Sequence, residues 1–213
     1  MADTAFYIYY FERRPMMYLT IDLKTTTLYT DRLILRPWKT DDLDDFYAYA
    51  SVDGVGQMAG WMPHKSLDET RQILSMFMEH GNVLAIEHRE DRRVIGSLGL
   101  HKPPFESLPP EQNPYPHLQT CEIGYVLAKP YWGQGLMPEA VRRVQKHLFE
   151  ELSADLVFVS HYDFNVQSRR VIEKCGFRFL YESEHLAKQL GKTYLTRHYA
   201  IDRASYFMQS HGK

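Results

Sequence analysis

The stretch from Thr120 to Phe179 restricts this chain more than any other, because its residue periodicity changes abruptly at a pair of glycines. Ile123 to Leu127 are β-branched, aromatic or aliphatic for the most part, which suits a strand. From Leu136 onward Val141, Val144, Leu148 and Leu152 recur at helical spacing, which predicts a helix over about residues 136–152. Gly133 and Gly135 stand at the junction, where glycine permits positive φ and close approach of a ligand to the backbone. The first N–H groups of the helix have no intrahelical partner and point outward with the helix dipole behind them. This is an anion site suited to a pyrophosphate. Pro138 has no N–H, but proline is tolerated in a first helical turn.

Two other glycine-rich readings fit less well. A P-loop needs Gly-Lys-Ser/Thr at its end, whereas Leu136 and Met137 follow Gly135. A dinucleotide fingerprint needs a third glycine where Pro138 stands, and Asp155 precedes the next strand instead of ending it. An isolated Gly-x-Gly is most often a turn that binds nothing. Here a second motif follows, Asn165-Val166-Gln167-Ser168, closing with Glu173-Lys174-Cys175-Gly176-Phe177.

Together the two motifs resemble the acetyl-CoA-binding core of the GNAT N-acetyltransferases. Leu33-Ile34-Leu35-Arg36-Pro37, followed by Thr40, Asp41 and Asp42, further resembles the branch containing the ribosomal-protein N-terminal acetyltransferases. The resemblance runs from Thr30 to Ile201. It implies an α/β fold with a mixed, mostly antiparallel sheet, flanking helices and splayed central strands. It also implies acetyl-CoA as cosubstrate and a primary amine as acceptor, attacked directly without an acyl-enzyme. Coenzyme contacts are expected from Tyr125, Val126, Leu127, Gly133, Gln134, Gly135, Leu136, Met137, Asn165 and Ser168, with a backbone N–H near Val126 as oxyanion donor. One departure is Pro130, where the family often carries Gln or Arg. Binding there falls to backbone N–H groups and Gln134.

Glu122 is the leading base by this reading, since Glu122, Gly124 and Val126 alternate onto one face of the strand that holds the thioester. A structural glutamate paired with Arg or Lys is the competing reading. Ser160 and His161 are the alternatives on the next strand, histidine having a suitable intrinsic pKa. Ser168 resembles the hydroxyl that relatives place near the coenzyme sulfur, although serine also suits a first helical turn. Asn165 is both an N-cap and a coenzyme partner by resemblance. Relatives build the acceptor pocket from the first two helices, their loop and the closing hairpin, which gives Trp38, Trp61 and Tyr194, with Met58 and Met62. A peptide α-amine, with a pKa near 8, loses its proton more easily than a lysine at about 10.4. That favours N-terminal amines, with polyamines, aminoglycosides and a non-catalytic acyl-CoA-binding module as alternatives.

Composition narrows the class. The chain has 213 residues, 44% hydrophobic and 24% charged, which suits one globular domain. A net charge of −2 speaks against a large nucleic-acid surface. No apolar run is long enough to span a membrane. The two cysteines, Cys121 and Cys175, make no disulfide framework and point to a cytoplasmic setting as small buried hydrophobes. The histidines show no ligand spacing, so no metal is expected. Residues 1–28 read as an appended extension, with 6–11 pairing with 18–23 as a hairpin, and 29–213 as a single catalytic domain, monomeric or homodimeric. Residues 102–118, rich in proline, read as a long loop, either a lid or a surface insertion.

Overall fold

The computed structural model describes Leu19 and residues 21–103, 114–115 and 117–211. Eight strands form one sheet in the order β1-β2-β3-β4-β5-β6-β8-β7. They are β1 (Leu28–Tyr29), β2 (Leu33–Arg36), β3 (Val83–His88), β4 (Arg93–His101), β5 (Thr120–Leu127), β6 (Leu156–Tyr162), β7 (Arg178–Ala187) and β8 (Lys192–Asp202). Every neighbouring pair is antiparallel except β5 and β6. A parallel pair needs a crossover connection, and α3 (Leu136–Lys146) lies within it. The remaining helices are α1 (Leu43–Ala50), α2 (Leu67–His80), α4 (Val166–Lys174) and α5 (Arg203–His211).

The sheet is covered on both faces. On one face Ile123, Val157 and Val159 pack with Leu136, Met137, Val141 and Val144 of α3, Ile172 of α4 and Tyr206 of α5. On the other, Ala85 and Val94 pack with Phe46 and Tyr49 of α1 and Leu74 of α2. Local signals set the helix ends. Ser66 Oγ accepts the Glu69 N–H at 3.2 Å to start α2, and Gly81 ends it at φ 64°.

Two differences from the sequence reading have physical causes. The helix expected over 136–152 is α-helical only to Lys146 and continues as a π turn, His147–Glu151. The wider turn brings consecutive Leu148 and Phe149 both into the core, each fully buried. The sequence reading ended at the last strand, yet α5 follows it. Tyr206 of α5 stacks on Phe149 at 4.7 Å and donates to Glu150 at 2.7 Å. The hairpin expected at 6–11 and the loop residues 104–113 lie outside the described residues. Leu19, Ile21 and Leu23 pack against the first core, and the Leu23 N–H donates to Gly81 O at 2.7 Å.

Candidate active site

The parallel pairing of β5 with β6 stops early. It runs from Thr120–Leu156 to Ile123–Val159, while β5 continues to Leu127 and β6 to Tyr162. Beyond Ile123 the two strands part, and a cavity of about 520 Å³ opens between them. The hydrogen-bond parity of β5 fixes which groups face the gap. The Ala128 N–H donates to Ile95 O at 2.8 Å, and the register opposes Val126 to Ser97 and Gly124 to Gly99. Alternation along an antiparallel ladder therefore turns residues 124, 126 and 128 toward β4 and Tyr125 and Leu127 toward the gap. The Leu127 carbonyl is capped by the Trp132 indole N–H at 2.6 Å. The Tyr125 N–H and C=O and the Leu127 N–H line the gap. The Val126 N–H belongs to the β4 ladder, so the N–H groups nearest it that face the gap are those of Tyr125 and Leu127.

The glycine turn borders the same cavity. Gly133 and Gly135 sit at φ 77° and 78°, and Gly135 is the N-cap of α3. The first intrahelical bond is Glu139 N–H to Gly135 O at 3.2 Å. This leaves the Leu136 and Met137 N–H groups ahead of it without helical acceptors, and both residues lie on the cavity wall. A Cβ at Gly133 would meet nothing within 4 Å, so glycine is needed there for its backbone angle. The turn is braced from behind by Arg32, which donates to Gln134 O at 3.0 Å and pairs with Glu139 at 2.6 Å. The Gln134 side chain folds back to Pro130 O at 2.8 Å and is not on the cavity wall. Arg170 and Lys174 of α4 border the cavity as cations. A gap edged by free strand amides and ending at an amide-lined turn fits an extended thioester arm with a pyrophosphate.

Ser168 and Tyr125 meet across the gap. Ser168 Oγ lies 2.9 Å from the Tyr125 hydroxyl, and both side chains face the cavity. Burial pushes the Tyr125 phenol well above its ordinary pKa, against the opposing pull of the Ser168 bond, so it stays protonated. Asn165 caps α4: its Oδ1 accepts the Ser168 N–H at 3.0 Å. Its Nδ2 donates to Met58 O at 3.1 Å, so the side chain ties α4 to the turn Gly56–Ala59.

The opposite wall carries Glu122 and Ser160. Glu122 Oε1 accepts from Ser160 Oγ at 2.7 Å. Burial raises its pKa, and the Ser160 bond opposes that only in part. Among the described residues no Arg or Lys forms an ion pair with Glu122, so its described partner is Ser160. His161 points to the opposite face from Ser160 and also borders the cavity, but its ring is taken up by Tyr162 O at 2.7 Å and the Tyr199 hydroxyl at 3.3 Å. His101 and His198, absent from the sequence reading, also border the cavity, as does His185. His101 opposes Glu122 in the β4–β5 register, and a Cβ at Gly124 would come within 3.3 Å of its ring. His198 opposes Ser160, and its Nε2 lies 2.8 Å from Ser183 Oγ. Only the strand register reveals either, since each stands in an ordinary strand pattern.

The expected acceptor residues divide. Met58 is on the cavity wall. Tyr194 packs on Tyr162 at 5.0 Å, one ring back from it. Trp61 packs on His64 in the second core region. Trp38 is 5% exposed among Phe46 and Phe77, away from the cavity. It is a core residue and not an acceptor contact, because the chain leaving β2 carries it under α1 and α2. Met62 is exposed, its N–H bonded to Gln189 at 3.0 Å. Among the described residues no three His, Cys, Asp or Glu side chains converge as metal ligands. No helix among them is long and apolar enough to cross a membrane.

Comparison with known proteins agrees with this geometry. Residues 32–178 match the acetyltransferase (GNAT) domain family. The uncharacterized N-acetyltransferase YoaA of Bacillus subtilis (strain 168) is 26% identical, over 82% of this chain and 95% of its own. An acetyltransferase (GNAT family) structure from Bacillus anthracis superposes with a TM-score of 0.71 at 21% identity, covering 84% of this chain and 99% of that one. Two further neighbours of the fold are named for different acceptors. The ribosomal-protein-S5-alanine acetyltransferase of Vibrio fischeri has a TM-score of 0.63 at 16% identity, over 85% of this chain and 98% of that one. The spermidine N-acetyltransferase of Vibrio cholerae, in complex with CoA and spermine, has 0.64 at 15%, over 84% and 99%. The family match spans most of the chain, and it coincides with the parted strands and the glycine turn: the protein belongs to the GNAT acetyltransferases.

Proposed function

We propose that this chain acetylates the free N-terminal amine of a peptide or protein, using acetyl-CoA, by direct attack. The observation that carries the reading is the parted β5–β6 gap, with a half-buried carboxylate on one wall and a protonated Tyr125–Ser168 pair on the other. Acetyl-CoA supplies the activated acetyl group. Backbone N–H groups at Leu136 and Met137 hold its pyrophosphate, and Tyr125 and Leu127 hold its arm and the developing oxyanion. Glu122 takes the proton of the amine, helped by a burial-raised pKa that brings it nearer neutral pH. Tyr125 and Ser168 keep a proton ready for the departing thiolate.

The acceptor side supports a single amine over a polyamine. Glu122 is the one carboxylate on the cavity wall among the described residues, and the neighbouring groups are His101, His198, Met58 and Val55. A second ammonium would find no partner of opposite charge in that set. The buried, unpaired cysteines fit a reducing cytoplasm. The test is thiol release with a panel of peptides, polyamines and aminoglycosides. We expect peptides with a free α-amine to be turned over best. Glu122→Ala and Ser168→Ala should each lower kcat at least tenfold, a barrier change of about 1.4 kcal/mol. No thiol release from any amine, with coenzyme still bound, would assign the chain to acyl-CoA binding alone.

A further inference from the structure

One residue that borders the cavity holds a buried polar atom that no described residue satisfies. Five buried side-chain nitrogen or oxygen atoms lack a hydrogen-bond partner among the described residues, and of these only Thr196 Oγ1 belongs to a residue on the cavity wall. Thr196 is 6% exposed. A buried hydroxyl left without a partner costs free energy, so a site that keeps one points to a ligand that completes it.

Position in the sheet indicates what that ligand is. Thr196 of β8 opposes Tyr162 of β6. Tyr162 lies three residues past Val159, as Val126 lies three past Ile123, where the β5–β6 pairing ends. Thr196 therefore stands level with the open part of the gap, one strand spacing of about 4.8 Å beyond β6. It shares a face with His198 and Ala200, and Ala200 packs with Phe158 on the side that carries Ser160 and, through it, Glu122. Thr196 lies two residues along β8 from His198, which opposes Ser160, the hydrogen-bond partner of Glu122.

We propose that Thr196 is an acceptor-binding residue whose hydroxyl pairs with a backbone amide group of the first residues of an N-terminal peptide. The inference rests on the acceptor class proposed above and names a contact that selects it. A hydroxyl can donate to a peptide carbonyl or accept from a peptide N–H. The surroundings disfavour a cation as the partner instead. His198 shares the wall, and its pKa is lowered, first by burial and then by His185. The site thus disfavours positive charge, and a polyamine would bring a second ammonium into it. A site built to bond a polar group rejects an analogue that lacks it, because the buried partner is then left unpaired.

The experiment compares wild type, Thr196→Val and Thr196→Ser on two acceptors, a tetrapeptide with a free N-terminal alanine and n-butylamine. Thr196→Val should raise the peptide KM about tenfold and leave kcat/KM for butylamine and KM for acetyl-CoA within about twofold. Thr196→Ser, which keeps the hydroxyl, should restore the peptide KM. Without any ligand, Thr196→Val should raise Tm by about 2–4 °C, since valine removes the unsatisfied hydroxyl and suits a strand. A Tm that is unchanged or lower, or equal effects on both amines, overturns the assignment of Thr196 while leaving the acetyltransferase reading intact. Turnover of polyamines but not of the peptide overturns both the acceptor class and this contact.

Discussion

The two arms of the cavity are built by different means. The proposed coenzyme arm uses main chain: strand amides of β5, the turn at Gly133 and Gly135, and the first N–H groups of α3. Its recognition atoms are fixed by backbone geometry, and side chains such as Arg32, Trp132 and Gln134 brace it from behind. The acceptor arm uses side chains drawn from β4, β5, β6 and β8, namely His101, Glu122, Ser160, Thr196 and His198. A backbone site accepts any side chain that preserves φ and ψ, whereas a side-chain site changes with each substitution. One sheet can thereby hold its donor constant while its acceptor varies.

The largest test of this contrast is Glu122→Gln. Losing the general base should lower kcat/KM about a hundredfold, roughly 2.7 kcal/mol, with coenzyme affinity unchanged. Wild-type kcat/KM should fall with acid along a limb whose midpoint lies above the ordinary carboxylate range, as burial of Glu122 requires. The variant should lack that limb. Stability should respond in the opposite sense. A carboxyl whose folded pKa is raised contributes stability below its unfolded pKa and loses it as pH rises through the folded value. Glu122→Gln should therefore unfold at a higher temperature than wild type at pH 8 but not at pH 4, as thermal scans at both pH values would show.

Next in size is Gly135→Ala, which acts on the other arm. At φ 78° an added Cβ costs about 1–2 kcal/mol. Coenzyme affinity, measured by calorimetry, should weaken about tenfold, with the acceptor KM little changed. A larger effect on the acceptor than on the coenzyme would break the division into two arms. The smallest effect is expected at Trp38→Phe. Its buried indole N–H has no partner among the described residues, and its ring packs on Phe46 and Phe77. Kinetics should stay within about twofold, and Tm should shift by no more than a few degrees.

The same contrast explains what the sequence reveals. Gly133, Gly135, Asn165 and Ser168 form two local motifs, and all four border the cavity. The parity of β5 is not local. Whether Val126 or its neighbours face the gap depends on pairing with β4, which is separated from β5 in the chain by residues 102–119. His101, Thr196 and His198 gain meaning only from strands that meet in space, and nothing marks them along the chain. Trp38 misleads for a related reason. A tryptophan after a strand-ending proline suits a pocket or a core equally, and only the packing of α1 and α2 over it decides. The π turn at His147–Glu151 is invisible to a count at 3.6 residues, because Leu148 fits the helical period while Phe149 does not.

The two cysteines have a practical consequence. Cys121 and Cys175 are both buried, and burial pushes each thiol up to about 12. At pH 8 about one in ten thousand of either is ionised. A chromogenic disulfide reagent added to the folded enzyme will therefore leave its own sulfurs untouched, and the colour that develops will count coenzyme turnover with no protein blank to subtract.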